Sequence, residues 1–326
     1  MPKLSILDFA TIFDGETPKD SFKRSVELAQ HAEKLGFERI WYAEHHNMNS
    51  IASSAPAVLI SHVGAHTEKI RLGSGGVMLP NHSPLGIAEQ FGTLAELYPN
   101  RIDLGLGRAP GTDMKTIQAL RRDPNDAERF PQDVQELQGY LSNNSLVPGV
   151  NATPGKGTHV PLYILGSSLF GASLAAALGL PYAFASHFAP THLEEAIKLY
   201  RERFEPSEQL EQPYVIAAVN VLADESEEEA QKQFEQAKRD RVKRMVGRGR
   251  NYSESELDFL MNSAQGRQIL AMIKYSAVGT AEQVKDYLLN FSDSVQADEL
   301  MLSPLSPHTA GVYKTLDLVA EKLISK

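Results

Sequence analysis

Residues 70–108 read IRLGSGGVMLPNHSPLGIAEQFGTLAELYPNRIDLGLGR, and the order of elements in this stretch decides the fold. Ile70 to Leu72 is an apolar run of strand length. Ser83-Pro84 is a helix-start signal, a capping hydroxyl followed by a residue whose fixed φ suits a first turn. Behind it Ile87, Phe91, Leu94 and Tyr98 recur on one helical face, and Ile102 to Leu106 returns as a strand. A strand, an amphipathic helix and a second strand in close succession form the repeating unit of a parallel sheet.

The same alternation runs along the chain. Leu4 to Phe9 precedes Thr17-Pro18 and the helical spacing Phe22, Val26, Ala29. Arg39 to Ala43 precedes a helix over Ala55 to His66. Further strands are expected at Leu162 to Leu165, Tyr182 to Ala185, Tyr214 to Leu222 and Glu299 to Leu302. Helix starts are expected at Thr191, with Glu194 at the third position, and at Thr280, with Gln283 there. The last helix carries Val312, Leu316, Val319 and Leu323. Eight strands each followed by a helix predict an α/β fold, a closed (β/α)8 TIM barrel, in preference to a doubly wound open sheet of the same elements. The 326 residues are expected to form one domain, 1–326.

Two segments break the alternation, one after strand four and one after strand seven. Asn143 to Val160 is rich in Asn, Pro and Gly. Asp224 to Ala277 holds possible capping boxes at Ser226 to Glu229 and Ser253 to Glu256, and is expected as an inserted helical segment. The second segment also carries Lys238, Arg239, Arg241, Lys243, Arg244, Arg248 and Arg250. A plain solvated helix face is the preferred reading of these cations, and a basic lid over an anionic ligand is the other.

Composition limits the partners. Hydrophobic residues make up 42% and charged residues 22% of the chain, which excludes disorder, collagen and coiled coil. Thirty-two Lys and Arg against 41 Asp and Glu leave a net charge of -9, unfavourable for a nucleic-acid backbone. No apolar run approaches the ~20 residues of a membrane span. Met1 to Ala10 reads as a strand and not as a signal segment, so a cytoplasmic protein is expected. The absence of cysteine removes disulfides, thiolate metal sites and cysteine nucleophiles, and no metal is expected.

Strand ends concentrate the polar residues. Glu44, His45 and His46 end strand two at the barrel end where active sites sit; neighbouring side chains on a strand point to opposite faces, so His45 and His46 are not both expected to look into the barrel, which speaks against a chelating pair. Gly73-Ser74-Gly75-Gly76 ends strand three with a surface that a flat ligand or another backbone can approach. Gly105-Leu-Gly107-Arg108-Ala109-Pro110 has the spacing GxGxxP, so the dinucleotide pattern is broken at its third glycine. Arg108 can offer a forked donor to a phosphate or pair with a surface carboxylate. Gly166-Ser167-Ser168 enters a helix, placing hydroxyls and N–H groups where an anion is favoured, unless they serve capping alone. Around Ser168 the nucleophile-elbow pattern is broken at Phe170. Ser186 and His187 end strand six and are candidates for a substrate pocket.

Taken in order, Glu44-His45-His46, Gly73 to Pro80, Arg101 to Arg108 and the Gly-Ser-Ser after strand five resemble the bacterial luciferase-like flavin monooxygenase family over nearly the whole chain. The resemblance implies a (β/α)8 barrel binding FMN at its mouth, often as a homodimer. It implies that reduced FMN and O2 oxidise a small organic substrate through a flavin C4a-peroxide, with the reduced flavin supplied by a separate NAD(P)H:flavin reductase. It places Gly75 and Gly76, joined by a cis peptide, against the flavin ring, and Arg108 with Gly166, Ser167 and Ser168 on its phosphate. His45 takes the acid/base role and Glu44 stands beside the flavin. Gly107 replaces a cysteine of luciferase and Ser167 a glutamate, so aldehyde specificity and light emission are not implied. An F420-dependent hydride-transfer enzyme of the same fold, and a flavin-binding protein without turnover, are the alternatives.

Overall fold

In the computed structural model, residues 1–109, 111–247 and 252–324 are described. Pro110, Arg248 and Arg250 lie outside them. In chain order the elements are β1 (Lys3–Asp8), α1 (Pro18–Leu35), β2 (Arg39–Tyr42), α2 (Pro56–Gly64), β3 (Arg71–Met78), α3 (Pro84–Leu97) and β4 (Ile102–Gly107). Then come α4 (Met114–Ala119), α5 (Phe130–Leu141), β5 (Leu162–Gly166), α6 (Leu169–Ala177), β6 (Tyr182–Phe184), α7 (Leu193–Glu202) and β7 (Val215–Ala223). The chain closes with α8 (Glu227–Gly247), α9 (Glu254–Asn262), α10 (Ala264–Ala271), β8 (Ser276–Gly279), α11 (Ala281–Val295), β9 (Glu299–Pro304) and α12 (Thr309–Leu323).

Strands β1 to β7 and β9 pair in parallel around a closed ring, with β6 joined to β7, β7 to β9 and β9 to β1. Closure through Tyr182 opposite Val215 and Leu4 opposite Leu300 overturns the open-sheet alternative and gives a TIM barrel. All eight expected strands are barrel strands. β8 was not expected: four residues at the end of the second inserted segment, they pair with the C-terminal half of β7 outside the ring, Asn220 opposite Ser276. A stretch so short shows neither period.

Local signals fared unevenly. Thr17, Ser253 and Thr280 form reciprocal capping boxes with Asp20, Glu256 and Gln283, and the Ser83 hydroxyl accepts from Gly86 N–H. The box expected at Thr191 does not form, because α7 starts one turn position later with His192 as its cap and no side-chain cap bond. Strand β3 runs through its glycines to Met78 and does not stop at Leu72, its register with β4 shifting between Ser74 and Val77. The Gly75–Gly76 peptide there is cis, as the resemblance implies.

Two apolar layers follow from strand alternation. Outward-facing Ile40, Leu72, Leu104 and Ile164 pack under the helices with Phe91, Val134 and Leu316. Leu7, Trp41, Tyr163, Ile216 and Met301 fill the barrel lumen. Each large side chain so buried contributes roughly 1.5–3 kcal/mol before entropy is charged against it.

Candidate functional site

At the N-terminal end of the lumen a charge network is sealed beneath the apolar filling. Arg39, 4% exposed, bonds Glu299 Oε1 at 2.9 Å, Asp103 Oδ2 at 2.7 Å and the Tyr163 hydroxyl oxygen at 2.8 Å. Asp103 also accepts from Trp41 Nε1 at 3.1 Å and pairs with Arg71, and Glu299 accepts from the Tyr214 hydroxyl at 2.7 Å. Burial would lower the Arg39 pKa, but the two carboxylates outweigh it and raise it further. No group is left to receive a ligand.

The C-terminal mouth is different. Strand β2 ends at Tyr42, so Glu44, His45 and His46 stand on the loop beyond it and diverge by backbone course. Glu44 is fully buried. Its Oε1 accepts from His46 Nε2 and His82 Nε2, each at 2.8 Å, and its Oε2 from Met78 N–H at 2.9 Å. Burial would raise this carboxyl, but the bonds from His46, His82 and Met78 prevail and hold it down to about 2. An ionised, three-times-bonded carboxylate is a fixed anchor for two imidazoles and for the backbone just past Gly76.

His45 lies on a second wall with Phe9, ring centres 6.0 Å apart and planes at 22°. Its Nδ1 is 3.4 Å from Gly111 O. A carbonyl only accepts, so this contact puts the ring proton on Nδ1 and leaves Nε2 with its lone pair. Burial lowers the His45 pKa below its ordinary value. His187, whose ring centre is 6.0 Å from Phe9, is buried with no partner on Nδ1; burial, then the charges of Arg241 and His45, pull it down to about 3.

A third corner joins the ends of β4 and β5, which are neighbours with Gly107 opposite Leu165. Arg108 is exposed, and its guanidinium sits 4.2 Å over the Phe170 ring with no ion pair among the described residues. The surface-carboxylate alternative therefore does not occur. Ser168 is the extended N-cap of α6 but forms no side-chain cap bond, leaving the first-turn N–H groups to other acceptors. Ser167 and Gly166 are half-buried beside it.

Not every expected residue opens into the mouth. The Ser186 hydroxyl, fully buried, donates to Ala218 O and ties β6 to β7. Backbone packing calls for glycine at position 76, where a Cβ would come within 2.8 Å of Gly105 O, whereas one on Gly75 would meet the end of the Leu7 side chain at 2.9 Å. Nor is the helix face of α8 uniformly solvated as preferred. Lys238 pairs with Glu235, and Arg239 with Glu254 and Asp258, at the surface, whereas Arg241 is half-buried with no partner on its Nε among the described residues. His82, Phe9 and Phe170 were missed. His82 carried a usable signal, a titratable residue between the glycine-rich strand end and the Ser83-Pro84 helix start.

These residues fit a flavin phosphate. A guanidinium with no ion pair among the described residues and a helix N-terminus without a side-chain cap present donors to an anion. Among the described residues no helix is long and apolar enough to cross a membrane.

The chain matches the family model of luciferase-like monooxygenases over residues 3–296. It is 45% identical to a luciferase-like monooxygenase of Escherichia coli K12, over 92% of this chain and 90% of that one. It is 33% identical to the N-acetyl-S-alkylcysteine monooxygenase of Bacillus subtilis, over 93% and 92% of the two chains. The crystal structure of apo-MsnO8 superposes with a TM-score of 0.86 at 34% identity, covering 99% of this chain and 98% of that one.

Proposed function

The chain belongs to the luciferase-like monooxygenase family of oxidoreductases, and from that premise we propose that it is an FMN-dependent monooxygenase of a small organic substrate. Arg108 carries the reading. Held over Phe170 in the first turn of α6, with no carboxylate partner among the described residues, it lies by the uncapped start of that helix, and a flavin phosphate of roughly -1.5 to -2 charge would complete both. Bound reduced FMN would supply the electrons for O2 activation. The chain's own residues would do the rest. Arg108, Gly166, Ser167 and Ser168 would hold the phosphate, and Gly75 and Gly76 would lie against the ring.

His45 Nε2, unprotonated at neutral pH, accepts and returns one proton at the reacting centre. Glu44 is a positioning residue, fixing His46, His82 and the backbone at Met78 through the three bonds above. Ser186 ties β6 to β7 and so places His187 on the substrate side. The reduced flavin comes from a separate NAD(P)H:flavin reductase in the same cytoplasm, since the GxGxxP spacing offers no dinucleotide loop.

Titration of FMN, riboflavin and F420 tests the assignment. FMN should bind at least about tenfold more tightly than riboflavin, the worth of one charge-assisted contact, and Arg108→Ala should erase the difference. Equal affinity for the two flavins, or preference for F420, would refute it. We also propose that chain and copy associate through α2 and α3, where Val58 is 71% and Leu97 56% exposed. Sedimentation at micromolar concentration should then show a dimer, and a monomer would count against it.

A further inference from the structure

We propose a transition-metal site outside the barrel, in which the imidazoles of His62 and His66 chelate one Zn²⁺, Ni²⁺ or Cu²⁺ ion at the C-terminal end of α2. Helix α2 runs back from the end of β2 to the start of β3, and the two strands are parallel. Its last turn therefore lies at the N-terminal end of the barrel, away from the mouth, and the inference is independent of the flavin reading.

The segment His62-Val63-Gly64-Ala65-His66 sets two histidines four apart, and on a helix such a pair shares one face and can grip one ion. Imidazole ligands need no cysteine. Ala65, the cap of α2, keeps helical angles of φ -66° and ψ -13°, so His66 completes the turn that carries His62. The two rings lie 4.9 Å apart, centre to centre, with planes at 65°. Two imidazoles bound to one ion at about 2.0–2.1 Å have ring centres roughly 4.5–5.2 Å apart. The pair thus stands at chelating distance before any ion arrives.

The ring of His66 is also fixed as a ligand ring should be. Its Nδ1 lies 2.8 Å from His62 O, and a carbonyl only accepts, so Nδ1 carries the proton and Nε2 presents its lone pair. Ligating histidines commonly donate the second ring nitrogen to a backbone carbonyl in this way. From α1, Gln30 Nε2 donates to His66 O at 2.8 Å and holds the turn. Among the described residues, His66 Nε2 and both ring nitrogens of His62 have no hydrogen bond or ion pair. Other imidazoles are committed: His46 and His82 to Glu44, His31 to Asp317.

Both rings are exposed and line an open groove of about 750 Å³ between α1 and α2, which a hydrated ion can enter. No third side chain completes the set among the described residues, so water takes the remaining positions. Neutral imidazoles select Cu²⁺, Ni²⁺ and Zn²⁺, with Cu²⁺ held most tightly, over Mg²⁺ and Ca²⁺, which prefer oxygen.

Calorimetric titration of the full chain with Zn²⁺, Cu²⁺ and Mg²⁺ salts at neutral pH tests this directly. One Zn²⁺ or Cu²⁺ should bind per chain, Cu²⁺ the tighter, and Mg²⁺ should not bind. His62→Ala and His66→Ala should each weaken binding at least about tenfold, since even a group standing behind a ligand is worth that much. The double variant should be little weaker than either single one, because one loss already ends the chelate. His31→Ala, altering an imidazole of α1, should bind as the wild type does. Electron paramagnetic resonance of the Cu²⁺ complex should show coupling to two imidazole nitrogens. Far-UV circular dichroism checks that each variant is folded, and His66→Gln replaces His66→Ala if that variant is not. No binding of Zn²⁺ or Cu²⁺, or binding that survives in both single variants, would overturn the proposal. So would an equal loss in Glu44→Gln with His62 and His66 intact, since the ion would then sit with His46 and His82 at the mouth.

Discussion

The two ends of the barrel use the same residue types for opposite purposes. At the N-terminal end Arg39, Arg71, Asp103 and Glu299 are bonded to one another and to Tyr163, Trp41 and Tyr214. At the mouth, Arg108 has no carboxylate among the described residues and buried His187 has no partner on Nδ1. Charge that is fully answered within the chain is structure. Polar groups left unanswered at the mouth are open to something absent from the chain. Glu44 stands between the two: it sits at the mouth, but its three bonds make it as satisfied as any carboxylate at the other end.

The comparison can be broken at either end. The largest effect is expected from Arg39→Met, which leaves Asp103 and Glu299 with excess negative charge in the lumen; denaturant unfolding should show a loss of about 3–5 kcal/mol. FMN affinity of the folded protein should be unchanged within a few-fold. A loss below about 1 kcal/mol, the range of surface pairs, would show the network to be dispensable.

A smaller effect, on turnover and not on stability, is expected at His45. His45→Ala should lower substrate-dependent O2 uptake by about 10²-fold while FMN affinity stays within a few-fold. Because burial lowers the His45 pKa, the imidazole is neutral at neutral pH and protonates only as pH falls below its ordinary range. Wild-type turnover should therefore fall on the acid side, with a midpoint below about 6.5, and that limb should vanish in the variant. His46→Ala should cost least, a few-fold, because Glu44 keeps its bonds to His82 and Met78. Equal losses in the two variants would show that Glu44 belongs with the answering groups and that the division drawn above is misplaced.

Legibility in the sequence followed the range of the interaction. The capping boxes at Ser253 and Thr280 each involve residues three apart, and a linear reading finds them; at Thr17 it finds the helix start but not the box with Asp20. Thr191 has the same spacing and forms no box, because the loop from β6 delivers the chain to α7 one position later. The basic run of α8 illustrates the limit more sharply. Composition shows seven cations in the inserted segment and favours a solvated face, but that Lys238 and Arg239 meet carboxylates while Arg241 Nε has no partner among the described residues depends on how α8 packs through Val242.

By itself the sequence determined the eight-strand alternation, the side of the barrel that carries the polar strand ends, and the family. These rest on hydrophobic period and on short motifs, which are local and survive in one dimension. Only the tertiary structure decided that the ring closes, that residues 260 positions apart, Arg39 and Glu299, neutralise each other, that His82 shares Glu44 with His46, and that Arg108 rests on the Phe170 ring with no ion pair among the described residues. Burial and pairing depend on what several distant segments bring to one point, and that information is created when the chain folds.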